Sequence, residues 1–447
     1  MDAQKLLLLS PSCFSFVRAT LSTNRRFRRP LIPHRSGHHR LLRVRKLSPG
    51  RQRTEAVYSG KRKHGEERED FGARGDGSSD DTKAFAAAWK AACSSSAPVT
   101  VLVPEGRHTG SSPSPSPVPA RNDSRLRRMS DWDGADRRLW MLFDKVDGLR
   151  VEGGGTIDGN GQVWWKVSCK VDSAQVATLL LSPLAHSMGL PAETPSALTF
   201  QSCRGLTVTD LKFKNSQQMH VTFSKCANVR ISRLTISAPG SSPNTDGIHV
   251  SGSTDVKISD SVIRTGDDCI SIVSGSRSIT ATNIVCGPGH GIRYTHLPAI
   301  PNSLALRGLT LRRRRRSVLS LQGGKGYARN IIFRNIVMDN VKTNIIIDQN
   351  YCDSPKSCGE QKSAVAVSGV TFKNVRGTSA TAVAMDFDCS RTVPCRGITL
   401  QDVHLVTASG APAKSFCATS ACQNTAPSYR RRAPPDDASF RPRGWKK

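Results

Sequence analysis

From Leu206 onward the chain repeats one arrangement of apolar positions: an apolar residue, then others at +2, +5 and +7, usually with Gly, Asn, Asp or Ser just before the first. The units are Leu206-Val208-Leu211-Phe213, Val229-Ile231-Leu234-Ile236, Val256-Ile258-Ser261-Ile263 and Ile279-Ala281-Ile284-Cys286, followed by Leu304-Leu306-Leu309-Leu311, Ile331-Phe333-Ile336-Met338, Val365-Val367-Val370-Phe372 and Ile398-Leu400-Val403-Leu405. Their starts are 23, 27, 23, 25, 27, 34 and 33 residues apart. Period-2 alternation indicates strand, and the step from +2 to +5 indicates a bend between two short strands that both turn side chains inward. One such unit cannot bury its apolar face alone, so the units must stack as coils whose strands pair in parallel. The predicted fold is all-β, a parallel β-helix.

A leucine-rich horseshoe would need a regular Asn or Cys position and helical segments, and a β-sandwich would show hairpin turns every 8–12 residues; neither pattern is present. Near the start, Asp80 to Cys93 reads as a helix with an Asp cap and an apolar face at Phe85, Ala88, Trp89 and Ala92, placed to cover the open end of the coil.

The coil spacing changes the meaning of three polar positions. Asp246, Asp268 and His290 are separated by 22 and 22 residues, about one coil, which puts them on one face of adjacent rungs. Asp267 adjoins Asp268, and neighbours on a regular strand point to opposite faces, so the doublet needs a bend to aim both at one cleft; Gly266 makes that bend easy. Taken singly, Asp pairs often only cap turns. Clustered carboxylates cannot all ionise in their ordinary range, so one keeps a proton to donate while others stay charged. That is the equipment of glycoside hydrolysis.

The 447 residues carry a formal charge of +30, but very unevenly. Residues 1–64 hold sixteen Lys or Arg against Asp2 and Glu55, and further bases crowd into Arg312 to Arg316 and the tail from Tyr429 to Lys447. These segments lack the interleaved aromatics of a nucleic-acid platform, so no nucleic-acid partner is expected. The first fifty residues are Arg- and Ser-rich with one short apolar run, Leu6 to Leu9, and fit neither a secretory signal nor a transit peptide cleanly. No run of about 18 apolar residues suggests a membrane span. Thirteen Cys, several of them close in sequence (269 and 286, 352 and 358, 389 and 395, 417 and 422), suggest an oxidising compartment and structural disulfides, with at least one Cys left over. None has zinc-site spacing.

The segments "SPNTDGIHV", "TGDDCISI" and "CGPGHGI", in this order, resemble the signature motifs of plant polygalacturonases, pectin-cleaving glycoside hydrolases of family 28 built on a right-handed parallel β-helix. "FGARGDGSSDDTKAF", "VEGGGTIDGNGQVWW", "FKNSQQMHVTF", "GGKGYARNIIFRNIVM" and "NIIIDQNYC" extend the likeness over most of Phe71 to Cys395. The resemblance implies hydrolysis of 1,4-α-D-galacturonosidic linkages in pectin by an inverting acid/base mechanism. It implies Asp267 as general acid, Asp246 and Asp268 as the pair that activates water, and His290 as the supporting histidine. Asn244 and Tyr351 would contact substrate, and Cys269 and Cys286 would form a disulfide beside the site. No metal or organic cofactor, a monomer, and a secreted, cell-wall location are expected.

The sequence departs from the family in one functional place. An Arg-Ile-Lys motif that grips substrate carboxylates should precede "QGG", yet Ser317, Val318, Leu319, Ser320 and Leu321 stand before Gln322. After His290 the chain reads "GIRYTHLPAIPNS", unlike the family's small and apolar continuation. A catalytically impaired β-helix with weak pectin binding is therefore the alternative. The Arg312 to Arg316 run, 22 to 26 residues after His290, is a candidate replacement for the clamp. The expected organisation is a basic disordered or targeting segment (1–64), the β-helix domain (65–425) with irregular inserts near 110–134 and 173–195, and a basic disordered tail (426–447).

Overall fold

Left-handed corner residues decide where the strands lie. The computed structural model describes residues 17–21, 43–46, 68–95, 99–103, 107–109, 138–166, 168, 194–273, 275–294, 304–312, 318–322, 326–351 and 365–417. In it, the residue just before seven of the eight apolar units (Gly205, Asn228, Asp255, Ser278, Asn330, Gly369 and Gly397) has φ between 54° and 64°. A second set lies between the +2 and +5 positions: Asp210, Arg233, Asp260, Asn283, Asn335, Asn374 and Asp402, with φ between 51° and 59°. Gly, Asn and Asp tolerate this region best, which is why they punctuate the repeat. At the second corner the side chains bond along the stack. Arg233 Nε lies 2.6 Å from Asp210 Oδ1, while Asn283 Nδ2 donates to Asp260 Oδ1 at 2.8 Å and Asn374 Nδ2 to Asn335 Oδ1 at 2.9 Å.

The strand register corrects one repeat unit. Ile331 pairs with Val370, and Val370 with Ile398, so the seventh unit is Val370-Phe372-Val375-Gly377, five residues later than the apolar pattern suggested. Val365 and Val367 are also buried, which let the template fit there. Gly369 at the corner marks the true start. An earlier coil escaped the pattern because it carries one extra residue: Val151 pairs with Val208, and Ile157 with Phe213.

The chain divides into two compact units, at Thr235/Ile236. In the first, strands Leu139–Asp144, Ser196–Gln201 and Val221–Ser224 pair in parallel, and Arg150–Gly153, Thr207–Thr209 and Ala227–Ser232 form a second parallel ladder. In-register stacking sets Phe143, Phe200 and Phe223 face to face, with ring centroids 5.3 Å apart at both steps. The helix Thr82–Ser94 buries Phe85, Ala88, Trp89 and Ala92, as its sequence predicts, and Trp89 meets Phe143 edge-on at 5.0 Å, closing the end of the aromatic stack. Asp81 occupies the N-cap position, but its carboxylate accepts the backbone N–H groups of Arg74 and Gly75 rather than one from the helix. Two short strands from the basic leader, Val17–Leu21 and Arg43–Lys46, pair with Val99–Val103 in this unit.

In the second unit, Thr254–Arg264, Arg277–Cys286, Leu304–Arg312, Tyr327–Val341, Ala366–Ser379 and Arg396–Thr407 form one long parallel ladder. A second ladder consists of Ile248–Ser251, Asp268–Ile272 and Gly291–Tyr294, and a third of Val318–Gln322, Ile345–Tyr351, Val383–Asp388 and Lys414–Cys417. In both units, then, the chain is a parallel β-helix. Disulfides join Cys269 to Cys286 and Cys389 to Cys395; Cys93 and Cys417 are also disulfide-bonded, and Cys203 and Cys226 are buried thiols. Cys352, Cys358 and Cys422, the insert at 110–134, all but the last two residues of the insert at 173–195, and the tail lie outside the described residues.

Because Phe200 is wholly buried between two other rings, Phe200→Ala is expected to cost about 3–5 kcal/mol. Urea unfolding should show a lower midpoint, and an unchanged midpoint would refute the aromatic stack as a stability element.

Candidate active site

The site grows from turns at the ends of three strands. Asn244, Thr245 and Asp246 precede the strand Ile248–Ser251, Asp267 precedes Asp268–Ile272, and His290 precedes Gly291–Tyr294. Asn244 takes the left-handed conformation, φ 52°, and is half-buried. The buried Thr245 hydroxyl accepts the Gly266 N–H at 3.2 Å and shares a 2.6 Å hydrogen bond with Ser242. Gly247 N–H donates to the Asp268 carbonyl at 2.9 Å, and His290 N–H donates to the Asp267 carbonyl at 3.0 Å. The turns are thus stitched to each other as closely as the strands are.

Three glycines permit this closeness. A Cβ on Gly266 would strike the Ser242 carbonyl, one on Gly247 would meet Ile263 Cγ2 and the Cys269 carbonyl, and one on Gly289, which has φ 91°, would strike the Asp267 carbonyl. The Cys269–Cys286 disulfide ties the strand that starts at Asp268 to the strand that ends just before the His290 turn.

The bend at Gly266-Asp267 brings both carboxylates of the doublet to His290. His290 Nδ1 lies 2.8 Å from Asp267 Oδ1 and 3.8 Å from Asp268 Oδ1. Asp267 Oδ1 also accepts the Asp268 N–H at 2.9 Å. The 22-residue count placed His290 level with Asp268. The register instead sets Asp268 opposite Gly291, and a bulge between Asp268 and Ile270 restores Ser271 opposite Arg293, so the histidine reaches first to Asp267. Asp246 and Asp268 are buried, whereas the side chains of Asp267 and His290 keep 21% and 18% of their exposure. Burial pushes the Asp246 carboxyl up to about 7, helped by the negative charge of Asp267 and opposed by Ser271 and the Arg293 guanidinium. Two adjoining carboxylates in such a place hold a proton that neither would keep alone.

One row of side chains was missed in the sequence. His249, Ser271 and Arg293 are successive register partners on the same three strands, also 22 residues apart, so the spacing that linked the acids could have found them. His249 Nδ1 and Ser271 Oγ are 2.8 Å apart, and packing around the imidazole pushes it down to about 4, so it is neutral at ordinary pH. Arg293 Nε lies 2.9 Å from Asp268 Oδ2. The atoms of Asp267, Asp268 and His290 that could attract a cation lie within 4.8 Å of one another, and Arg293 brings positive charge to that cluster from the protein itself. Tyr351 ends its strand with its backbone opposite Gln322; its side chain, the side chains of Val318–Gln322 and the run Arg313 to Arg316 lie outside the described residues.

Comparison with known proteins gives a consistent result. Residues 93–429 match Glycosyl hydrolases family 28. Polygalacturonase-2 of Solanum lycopersicum is 45% identical over 362 residues, 78% of this chain and 76% of that protein, and Polygalacturonase of Persea americana is 44% identical over 366 residues, 78% and 75%. Among solved structures, an endo-xylogalacturonan hydrolase from Aspergillus tubingensis (19% identical, TM-score 0.51, 66% of this chain and 80% of that one) shares the fold. So does a hyperthermoactive exopolygalacturonase from Thermotoga maritima (20% identical, TM-score 0.54, 75% and 85%). With the β-helix, the turn-borne acids and relatives that align over three quarters of their length, the chain belongs to glycosyl hydrolases family 28.

Proposed function

We propose that the protein hydrolyses 1,4-α-D-galacturonosidic linkages in pectin with inversion at the anomeric carbon, and that Asp267 is the proton donor. The observation that carries this reading is the convergence of Asp267 and Asp268 on His290, with the buried Asp246 close enough to feel the charge of Asp267. In the tautomer with hydrogen on Nδ1, Asp267 Oδ1 receives two donors, the imidazole and the Asp268 amide, which leaves Oδ2 as the atom that holds the transferable proton. Asp246 and Asp268, set deeper, act on the water that attacks from the opposite face of the sugar. Asn244, half-buried two residues before Asp246, and Tyr351 are assigned to substrate contact on the likeness of their motifs to the family. The identity to proteins named polygalacturonase supports pectin as substrate, and the disulfides fit an oxidising, extracellular setting in the cell wall. The non-catalytic alternative is not favoured, since all four residues expected to do the chemistry are present and gathered.

Reducing-sugar release from polygalacturonate is the direct test, and its absence across pH 4–8 would refute the reading. Asp267→Asn should lower kcat at least about a hundredfold with little change in the unfolding temperature, because it removes the donor and keeps the turn. Proton NMR of the first product should show the β-anomer; an initial α-anomer would establish retention instead.

The Asp246 carboxyl yields a prediction with a definite sign. Its folded-state value is raised, so the folded protein binds a proton that the unfolded chain has already released between about pH 4 and 7, and stability falls as pH rises through that window. Asp246→Asn escapes this loss. The variant should be inactive, yet its unfolding temperature should gain on the wild type from pH 4 to 7 and hold the gain above 7. A gain that shrinks over that range would contradict the buried, protonated carboxyl.

A further inference from the structure

The second rung of the site carries a buried carboxyl group whose charge state decides what it can do. The Asp268 side chain is 3% exposed, with Asp267 adjoining it and Asp246 on the preceding rung. An ionised carboxylate taken from water next to other carboxylates is costly unless a cation lies against it. Arg293 Nε stands 2.9 Å from its Oδ2, from a side chain 22% exposed to the cleft. We propose that Arg293 is a positioning residue for the reaction, whose guanidinium holds Asp268 ionised and oriented as the fixed base among the three acids. The proposal rests on the hydrolytic reading above and adds to it a division of labour that the acids alone do not dictate.

Three clustered carboxylates without a fixed cation would distribute their shared proton over several arrangements, and only some of these leave a donor at Asp267. Arginine keeps its charge at every working pH, so a guanidinium on Asp268 excludes the arrangements in which that residue is protonated. The strand register makes the contact specific. Arg293 follows His249 and Ser271 in one outward row, and the bulge after Asp268 brings its guanidinium to that carboxylate. The titratable or charged groups around Asp268 include Asp267 beside it, Asp246 and His249 on the preceding rung, and His290 and Arg293 on the following one. His249 is neutral, so it does not supply the missing charge. The departure "GIRYTHL" from the family's usual continuation is thus what brings a cation into a site that lacks the expected Arg-Ile-Lys.

The full chain with Arg293→Gln and with Arg293→Lys tests this. A cation stabilises the charged form, so its loss raises the pH at which Asp268 takes up a proton. In Arg293→Gln the acid limb of kcat/KM on polygalacturonate should move up by about 1–3 pH units. Activity would fall tenfold or more below the limb and stay within a few-fold of wild type above it, while Arg293→Lys should reverse most of the shift. A uniform loss at all pH values with an unmoved limb would mean packing only and would overturn the proposal.

A second measurement needs neither substrate nor a folded Arg293 variant. If the guanidinium holds Asp268 ionised, the wild type should be more stable than Asp268→Asn by a margin that grows from pH 3 to pH 6, because a carboxylate favoured in the folded state contributes stability above its unfolded range and loses it in acid. A margin that shrinks over the same range would show Asp268 resisting ionisation and would overturn the proposal, whatever the protein does to pectin. Absence of hydrolysis by the wild type would defeat the proposed function alone.

Discussion

The structure depends on a backbone constraint repeated in seven of the coils: residues in the left-handed region just before the apolar unit and again at its +4 position. These corners turn a period-2 strand by a fixed amount without breaking its pairing to the next coil. Everything else is a consequence of stacking. Equal positions on successive coils fall about 4.8 Å apart, so a phenylalanine meets a phenylalanine, an asparagine corner bonds to the corner below, and residues one coil apart in sequence become neighbours. Asn, Asp and Gly at the corners relieve backbone strain; Arg233, with no such preference, instead gains the carboxylate of Asp210.

The same stacking builds the site, but from the turns rather than from the strands. On a strand the Asp267-Asp268 doublet would point to opposite faces. At the bend before the strand both acids reach one imidazole. Burial then separates their roles. Asp267 and His290 remain partly exposed, while Asp246 and Asp268 are buried, one beside Asp267's charge and the other against a guanidinium. Three identical functional groups thereby acquire three environments.

Much of this was legible in the sequence. The repeat announced the coils, the 22-residue spacing placed the acids on one face, and the capping helix showed its apolar stripe. The misreadings have a common physical origin. Val365 fits the apolar template better than Val370, whose unit ends in Gly377, and the deciding signal lay in Gly369, a conformational feature rather than a hydrophobic one. Leu149 to Ile157 hid because one additional residue between two strands spoils a fixed template while leaving the pairing intact. His290 was one position off because a bulge is invisible to counting. Arg293 was passed over because a basic residue in an unfamiliar continuation looks like divergence until its rung is known.

The close fit of Gly247, Gly266 and Gly289 bears on how this protein can change over generations. Between Ser242 and Tyr294 the chain has no slack: a codon gained or lost there would rotate one rung's side chains away from the others and separate donor from base. Outside that window the coil repeat can be longer, as the 39 residues from Ile331 to Val370 illustrate. The reading frame of the active site is therefore about fifty residues long, and it divides the gene into a stretch that drifts only by substitution and flanks that are open to insertion.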